Sequence, residues 1–371
     1  MAGCSRLKTT LTEGRKSADK IAIMAESRAT ANMFKNYKYD RCYIIAEIGG
    51  NFTTFEEAKR LVDGAASCSV DAVKLQTYKA DTIVSRNAVF DMENTGVVSQ
   101  YELFKKYEIN EELHGKVFSY IESKGLDWFS TPSHESDVEL LERFGVGAYK
   151  IGSDDAVNIP FLKYVARKGK PIILATGMCT MDEVKESVSA ILGEGNDKIV
   201  LLHAVTSYPT HPEHVNLLAM QAMMREFPGL SVGYSDHTIG ITASICAAAM
   251  GARVIEKHFT YDKNADGPDH RLSADAGEMK KIVEWIREFE VIKGDGIKRP
   301  ADSEKTTRIN NRKSVVAAGV IKKGEVITRE RLAVKRPGYG IPPKCFEEII
   351  GRTASRDMEP DTVIMWEDLE A

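Results

Sequence analysis

The sequence lacks the patterns that mark secreted, membrane-spanning and nucleic-acid-binding proteins. Its six cysteines are scattered and form no C-x-x-C pair, which argues against a disulfide framework or a thiolate zinc site. Free thiols favour a reducing compartment, so we expect a cytoplasmic protein. No apolar run approaches the roughly 20 residues that span a bilayer. A formal net charge of −4 at pH 7 argues against a nucleic-acid partner.

The first 40 residues differ in composition from the rest of the chain. They are rich in Lys, Arg, Ser and Thr and contain no apolar segment like the centre of a secretory signal. We therefore predict a mobile N-terminal extension over residues 1–40. The alternatives are a transit peptide, or a true start of translation at Met24 or Met33.

From about residue 41 onward, short apolar runs alternate with amphipathic stretches. The stretch that begins at Phe55 is typical of a helix, and Thr54 with Glu57 forms a candidate capping box at its start. Near-continuous apolar strands that alternate with helices indicate a parallel sheet covered by helices. The predicted strands lie at residues 43–49, 71–77, 126–132, 147–153, 170–177, 198–207, 230–236 and 252–258.

Eight such units within about 250 residues predict an α/β fold, a closed (β/α)8 or TIM barrel over residues 41–292. A doubly wound open sheet is the competing fold. It would require a glycine-rich phosphate loop after the first strand, and Gly49-Gly50 does not complete a G-x-G-x-x-G pattern. The barrel is therefore the favoured prediction.

Polar and ionisable residues stand at the carboxyl end of almost every predicted strand. In a TIM barrel these ends meet at one face and form the active site. Polar groups clustered there would be costly to bury without a ligand. The residues are Glu47, Lys74, Gln76, Thr131, Ser133, Lys150, Ser153, Asp155, Thr176, His203, Thr206, Tyr208, Ser235, Asp236, His237, Glu256 and His258.

His237 and His258 end the last two predicted strands, which are neighbours in a closed barrel. Two histidines at matching depth, with carboxylates nearby, suggest a divalent metal that polarises a carbonyl group or activates water. A hydrogen-bonded structural role is the alternative for each of them. His203, at the end of the sixth strand, is either a supporting residue of this site or a structural one.

Lys74 and Lys150 follow apolar residues within predicted strands, so both side chains should point into the barrel. Paired cations with neighbouring hydroxyl groups suit a phosphate and a carboxylate better than an imine. A Schiff-base aldolase and structural Lys–Glu pairs are the alternatives. The residues alone therefore predict a metal-dependent barrel enzyme that binds a phosphate-bearing anion and an oxygen-rich electrophile. The hydroxyl-bearing candidates are Ser153, Thr176, Thr206 and Ser235.

Eight motifs occur in order along the chain: IIAEIGGN, VKLQTY, AYKIGS, KPIILATGM, SYPT, VGYSDHT, VIEKHFT and GPDH. They resemble the sialic acid synthases, the phosphoenolpyruvate-dependent N-acylneuraminate synthases that include legionaminate and pseudaminate synthases. The resemblance covers residues 41–371. It implies condensation of phosphoenolpyruvate with water and an N-acylated hexosamine such as N-acetylmannosamine, giving a nine-carbon 2-keto sugar acid and phosphate. The GPDH motif favours a sialic or legionaminic acid synthase over a pseudaminic one.

The resemblance also implies roles for individual residues. His237 and His258 would hold Mn²⁺, with Mg²⁺ or Co²⁺ as alternatives, and Asp155 would orient the attacking water. The residues that would bind phosphoenolpyruvate are Lys74, Lys150, Ser153, Thr176, Thr206 and Ser235. The residues that would line the sugar side are Glu47, Gln76, Tyr208 and Asp269. The predicted catalytic residues are Glu47, Asp155, Lys74 and Lys150.

The C-terminal part of the chain is predicted to be a separate domain. After a charged linker at residues 293–312, residues 313–371 show the glycine and proline punctuation of a small β-rich fold. This segment is similar to the SAF (antifreeze-like, β-clip) domain that ends these synthases. In that family it caps the barrel of the partner subunit in a domain-swapped homodimer, which implies that Arg336 reaches the N-acyl group of the sugar. A packing module is the alternative.

The sequence departs from the family pattern in several places, and one of them is His203-Ala204-Val205-Thr206 in place of HCTS. Phe52 stands where the family usually has His, and we expect it to remove a polar group at the site entrance. Asp154 replaces a Gly and should add negative charge near the phosphate. The rival functions are a 3-deoxy-sugar-phosphate synthase and a non-catalytic sugar-binding or antifreeze-like protein. The latter predicts that Lys74→Ala and His237→Ala leave function intact.

Overall fold

The structure is a computed structural model that describes residues 34–38, 40–93 and 96–370. The chain divides into two compact units, of which the first ends at Lys293 and the second comprises Gly294–Ala371. Residues 1–33, most of the predicted N-terminal extension, lie outside the described residues. None of the helices in the described ranges is long and apolar enough to cross a membrane.

The first unit is built around a closed barrel of parallel strands. Its strands are β1 (Tyr43–Glu47), β2 (Ala72–Thr77), β3 (Val89–Met92), β4 (Gly96–Ser99), β5 (Asp127–Pro132), β6 (Tyr149–Ile151), β7 (Ile172–Ala175), β8 (Ile199–Ala204), β9 (Ser231–Asp236) and β10 (Val254–His258). Eight of them close in the order β1-β10-β9-β8-β7-β6-β5-β2. All eight lie inside the predicted runs, so the predicted (β/α)8 barrel is confirmed.

Helices cover the outer surface of the barrel. They are α1 (Phe55–Ser67), α2 (Ala80–Ile83), α3 (Gln100–Tyr107), α4 (Glu111–Ser123), α5 (Glu135–Arg143), α6 (Ile159–Ala166), α7 (Met181–Gly193), α8 (Leu217–Glu226), α9 (Thr242–Ala249) and α10 (Ala276–Ile292). The predicted capping box of α1 is present, because Glu57 N donates to Thr54 Oγ1 at 3.3 Å and Thr54 N donates to Glu57 Oε2 at 3.0 Å. Apolar residues of α1 such as Leu61 and Val62 are fully buried against the barrel core.

A hairpin that the sequence analysis did not predict follows β2. Its two strands, β3 and β4, are antiparallel, and Phe90 packs edge-on against Phe104 with ring centroids 5.7 Å apart. Glu93 at the end of the hairpin lies 3.0 Å from His211 Nε2 and 4.0 Å from an Arg271 nitrogen. The hairpin therefore reaches the segments that follow β8 and β10.

The amino-terminal end of the barrel is held by ion pairs. The carboxylate of Asp71 accepts a hydrogen bond from Ile44 N at 2.9 Å and lies 2.9 Å from Arg287 and 3.3 Å from Arg41. In TIM barrels this end contributes stability and the opposite end carries the chemistry. The Asp71–Arg287 pair therefore stabilises the barrel at the end remote from the site described below.

The second unit is small and rich in β-structure, as predicted. It contains α11 (Lys305–Asn311), β11 (Ser314–Ala317), β12 (Leu332–Lys335) and α12 (Phe346–Ile349). β11 and β12 pair antiparallel, and isolated bridges such as Ile321–Met358 and Ala354–Leu369 extend the β-structure. These elements enclose an apolar core of their own, with Val315 and Ile364 fully buried. Residues 294–312 group with this unit.

Candidate active site

Two lysines and two glutamates form a buried cluster inside the barrel. Lys74 Nζ lies 2.6 Å from Glu47 Oε2 and 4.0 Å from Glu256 Oε2, and it donates to Thr131 Oγ1 at 3.0 Å. Lys150 Nζ lies 3.7 Å from Glu256 Oε1. All four charged side chains are less than 5% exposed. Glu256 therefore links the two lysines that the sequence analysis assigned to anion binding.

The charges in this cluster shift one another's pKa values. Burial opposes ionisation of Glu256, but the ammonium groups of Lys150 and Lys74 outweigh burial and hold its pKa below the usual range. Burial also disfavours the charged form of Lys74, but Glu256 and Glu47 raise its pKa. For Lys150 burial prevails, and its pKa is lowered. An added anion beside Lys150 would favour its protonated form.

A small cradle lies between the ends of β6, β7 and β8. Gly177 N donates to Ser153 Oγ at 2.9 Å, and a Cβ atom added at Gly177 would lie 2.3 Å from Thr206 Oγ1 and 2.8 Å from Ser153 Oγ. The hydroxyl of Thr206 is buried and has no hydrogen-bond partner in the described part of the chain. Two hydroxyl groups thus converge on a space that only glycine leaves open.

The other two predicted hydroxyls are differently placed. Ser235 Oγ donates to Glu256 Oε1 at 3.0 Å and so belongs to the lysine–glutamate cluster. Thr176 Oγ1 donates to the Leu202 carbonyl at 3.0 Å and lies 3.7 Å from the sulfur of Met223, a residue of α8. The structure thus directs the Thr176 hydroxyl toward the helical layer rather than toward the lysines.

His237 and His258 face each other at the ends of β9 and β10. Their ring centroids are 5.6 Å apart, and the ring of Tyr208 lies 4.3 Å from that of His237. His237 Nδ1 donates to the Val205 carbonyl at 2.8 Å, which leaves Nε2 as the ring atom with a lone pair. His258 Nδ1 is buried and has no hydrogen-bond partner among the described residues; the nearest acid oxygen, of Asp269, is 3.6 Å away.

Both imidazoles are neutral near pH 7, as metal ligands must be. Burial lowers the pKa of His237 to about 4. Burial, and then the charges of His237 and Lys74, lower the pKa of His258 well below its usual value. No group of three or more His, Cys, Asp or Glu side chains within the described ranges is arranged to hold a metal. Two buried neutral imidazoles with ring centroids 5.6 Å apart fit a divalent ion whose other ligands would be oxygen atoms of water or substrate.

The predicted sugar-side residues lie next to these histidines. Glu47 Oε1 accepts hydrogen bonds from Gly49 N at 2.8 Å and from Gln76 Nε2 at 3.2 Å. Burial and the charge of Glu47 raise the pKa of Asp269 to about 7, against the opposing charge of Lys74. Asp269 can therefore take up or release a proton near neutral pH.

The two adjacent acids after β6 face different surroundings. Asp155 Oδ1 accepts from Asn158 Nδ2 at 2.9 Å, and burial, with the charges of Asp154 and Asp137, raises its pKa to about 6. The side chain of Asp154 folds back, so that a Cβ added at Gly152 would lie 2.2 Å from Asp154 Oδ1. Its charge acts on Lys74 and Lys150. Asp154 therefore lies nearer the lysines than the predicted water-orienting Asp155.

Three further residues considered in the sequence analysis have the following surroundings. Phe52, expected at the site entrance, is 4% exposed and packs in the apolar core of the barrel unit. His203 contacts the Val215 carbonyl through Nε2 at 2.8 Å and stacks on Tyr234, so it is held as a structural residue. Arg336 is an exposed residue of the second unit, directly after β12.

Glu256 is the functional residue that the sequence analysis undervalued. It was noted only as one of several acids, yet both lysines and Ser235 converge on it. The signal was present in the strand sequence VIEKH, because Glu256 and His258 are two residues apart and so face the same side of a strand.

Comparisons with known proteins give matches to both units of the chain. The model of the NeuB family matches residues 61–298, and the model of the SAF domain matches residues 312–370. The chain belongs to the NeuB family. It combines a sugar acid synthase barrel with an SAF domain, as the sequence motifs indicated.

Proteins similar to this chain include three kinds of sugar acid synthase. An N,N'-diacetyllegionaminic acid synthase of Legionella pneumophila is 41% identical over 339 residues, 89% of this chain and 95% of that protein. A pseudaminic acid synthase of Campylobacter jejuni is 34% identical over 330 residues, 87% and 96% of the two chains. The crystal structure of an N-acetylneuraminic acid synthetase from Leptospira borgpetersenii, in complex with citrate, has a TM-score of 0.65 at 30% identity and covers 72% of this chain and 90% of that one.

Proposed function

We propose that the protein condenses phosphoenolpyruvate with an N-acylated hexosamine such as N-acetylmannosamine and with water. The products are a nine-carbon 2-keto sugar acid of the N-acylneuraminate type and inorganic phosphate. The single observation that carries this proposal is the Lys74–Glu256–Lys150 cluster, which lies in the same barrel end as two neutral histidines. That arrangement offers one place for a phosphate-bearing anion and a neighbouring place for an electrophile.

The anion would occupy the lysine end of the site. Lys74 and Lys150 supply positive charge, and Ser153, Thr206 and Ser235 supply hydroxyl groups. Hydrogen bonds between charged donors and phosphate oxygens are about twice as strong as neutral ones, so these lysines can orient the substrate as well as attract it. Thr176 would contribute through the position of its backbone, because its hydroxyl is held by Leu202 O.

His237 and His258 would hold the divalent ion, with Mn²⁺ proposed and Mg²⁺ or Co²⁺ as alternatives. When bound there, the ion supplies Lewis acidity that polarises the aldehyde of the sugar. The hydroxyl groups of the same sugar would be bound by Glu47, Gln76, Tyr208 and Asp269.

The reaction forms one carbon–carbon bond and releases phosphate. C3 of phosphoenolpyruvate attacks the aldehyde carbon, water adds to C2, and the resulting tetrahedral carbon expels phosphate. Asp269 can give a proton to the developing sugar oxygen, because its pKa is about 7. The acids after β6 are candidates for orienting the water. We retain Asp155 in that role, with Asp154 as the acid nearer the lysines.

A 2,4-diacetamido-6-deoxy hexose is the second candidate acceptor. The observation that favours it is the 41% identity to the Legionella pneumophila protein named N,N'-diacetyllegionaminic acid synthase. Both proposed reactions use phosphoenolpyruvate and differ only in the acceptor sugar. The anion end of the site would therefore be the same for both acceptors.

The decisive experiment measures phosphate release from phosphoenolpyruvate by the purified full chain. N-acetylmannosamine and 2,4-diacetamido-6-deoxy hexoses are offered separately, with Mn²⁺ and then with EDTA. We expect metal-dependent release with one class of sugar. Release that survives EDTA, together with borohydride trapping on Lys150, would instead indicate a Schiff-base aldolase.

We also propose that the protein is a domain-swapped homodimer in which Arg336 reaches the sugar bound by the partner subunit. The family resemblance supports this proposal. Light scattering tests the dimer. Arg336→Ala should raise the KM for the sugar and leave the KM for phosphoenolpyruvate unchanged.

A further inference from the structure

A buried ion pair lies on the outer side of the barrel wall, behind the two histidines. Lys257 Nζ is 3.0 Å from Asp236 Oδ2, and the two side chains are 1% and 0% exposed. Asp236 and Lys257 are register partners on β9 and β10, and each directly precedes one of the histidines. Because side chains alternate along a strand, the pair faces outward while His237 and His258 face inward.

The pair is tied to the backbone next to His237. Asp236 Oδ1 accepts from Thr238 N at 2.8 Å, and Lys257 Nζ donates to the Thr238 carbonyl at 2.8 Å. Asp236 Oδ2 also accepts from Ser244 Oγ of α9 at 2.6 Å. Both backbone groups of Thr238 are therefore held from outside the barrel. On the inside, the Val205 carbonyl holds the ring of His237.

Stability alone gives no reason for such a pair. The attraction between two charges buried in a barrel wall offsets only part of the free energy lost with their hydration. Well-packed apolar residues of similar volume are often equally stabilising. What apolar residues cannot supply is the two hydrogen bonds to Thr238. Those bonds fix the residue that follows His237, and the bond from Lys257 comes from the neighbouring strand, which carries His258.

We propose that Asp236 and Lys257 are positioning residues that fix the backbone of His237 relative to His258 and thereby set the affinity of the two-histidine site for its divalent ion. The inference rests on the metal site of the proposed function. It concerns residues on the far side of the barrel wall that contact neither the ion nor the substrates.

The test measures binding of Mn²⁺ alone to the full chain, by electron paramagnetic resonance of the free ion. The variant is Asp236→Asn combined with Lys257→Met, which removes both charges and the hydrogen bond to the Thr238 carbonyl at similar volume. We expect its Kd for Mn²⁺ to rise about 10-fold or more, as for other residues that orient metal ligands. Its affinity for phosphoenolpyruvate without metal should stay within about twofold of wild type, because the lysine cluster is separate.

A control removes a partly buried pair at the opposite end of the barrel, by Asp71→Asn combined with Arg287→Met. Its Mn²⁺ affinity should equal that of wild type even where its stability falls. Ser244→Ala is a milder variant that keeps the pair but removes the hydrogen bond to Asp236. It should raise the Kd about threefold, and it serves if the double variant does not fold.

The outcomes separate this inference from the function on which it rests. Wild-type Mn²⁺ affinity in the Asp236/Lys257 double variant, or equal weakening in the Asp71/Arg287 control, would overturn the positioning role only. Should the double variant not fold, wild-type affinity in Ser244→Ala would overturn it instead. Wild-type Mn²⁺ affinity in His237→Ala would overturn the two-histidine site itself, and the inference with it. Loss of binding in His237→Ala, weakened binding in the double variant and unchanged binding in the control would support both.

Discussion

Glu256 Oε1 lies 3.7 Å from Lys150 Nζ, and both groups are almost fully buried. The other carboxylate oxygen lies 4.0 Å from Lys74, which pairs more closely with Glu47 at 2.6 Å, so Glu256 is the acid that pairs with Lys150. Burial lowers the pKa of Lys150, so a phosphate that entered beside it would favour its protonated form. This arrangement favours the proposed binding of an anion beside Lys150.

Glu256→Gln should therefore destabilise the protein without ligand. Lys150 would lose the acid with which it pairs, although Lys74 would keep Glu47, and breaking a buried pair costs about 3 kcal/mol of unfolding free energy. Phosphoenolpyruvate should restore much of that loss, so its stabilising effect on the melting temperature should exceed that in wild type. Thermal unfolding with and without phosphoenolpyruvate measures both. Glu194→Gln, which affects an exposed pair with Arg167, is the control and should behave as wild type in both conditions.

Gly177→Ala should abolish anion binding in the cradle. The added Cβ would lie 2.3 Å from Thr206 Oγ1, inside the space between the two hydroxyl groups. We expect the affinity for phosphoenolpyruvate to fall at least about 100-fold, the scale of a misplaced binding group. Calorimetric titration gives the affinity. Gly147→Ala is the matched control, since nothing lies within 4 Å of its added Cβ. Unchanged binding by Gly177→Ala would exclude the cradle as the phosphate site.

Asp154→Asn should tighten the binding of phosphoenolpyruvate. The carboxylate of Asp154 acts on both lysines and competes with an incoming anion. Removing one exposed charge near the site is worth about 1 kcal/mol, so we expect the KM for phosphoenolpyruvate to fall about fivefold, and less at high salt. Steady-state kinetics at two ionic strengths test this. A rise in KM instead would mean that Asp154 contacts the substrate favourably.

Asp155→Asn should change the pH dependence of stability. The folded protein raises the pKa of Asp155 from 3.8 to about 6, so it holds a proton that the unfolded chain releases between those values. Its stabilising contribution is complete below pH 3.8 and is lost as pH rises through 6. The variant should therefore match wild type near pH 4 and exceed it by about 1–2 kcal/mol at pH 7.5, after allowance for partial exposure.

Urea unfolding of both proteins from pH 4 to pH 8 tests this expectation. A constant difference across the whole range would show that the carboxyl group of Asp155 does not titrate with the raised pKa. Phosphate release measured on the same variant separates stability from the proposed role of Asp155 in orienting water.

The strand pattern of the barrel was predictable because each strand is apolar along its body and polar at one end. Lys74 and Lys150 each stand between apolar residues within a strand, and this pattern correctly predicted that both side chains are buried inside the barrel. The hairpin of β3 and β4 was missed, since two four-residue strands with polar residues carry no clear periodicity.

The direction of the side chains that follow a strand could not be predicted from the sequence. Asp154 and Asp155 are adjacent, and only the backbone after Gly152 decides which of them faces the lysines. The hydroxyl of Thr176 likewise turns to the Leu202 carbonyl, a bond that depends on the neighbouring strand. The ring of Phe52 is buried in the apolar core, because an apolar ring gains more by packing against other apolar side chains than by facing water.

The alternation of β10 limits how this protein can diverge. Glu256 and His258 face the interior while Lys257 faces outward to Asp236, so three functions share one five-residue strand. A one-residue insertion or deletion here would place Lys257 inside and expel both the acid and the histidine. Homologous proteins can therefore vary the length of the loops between the strands, whereas any change of length within this strand would remove the proposed anion site, the proposed metal site and their support together.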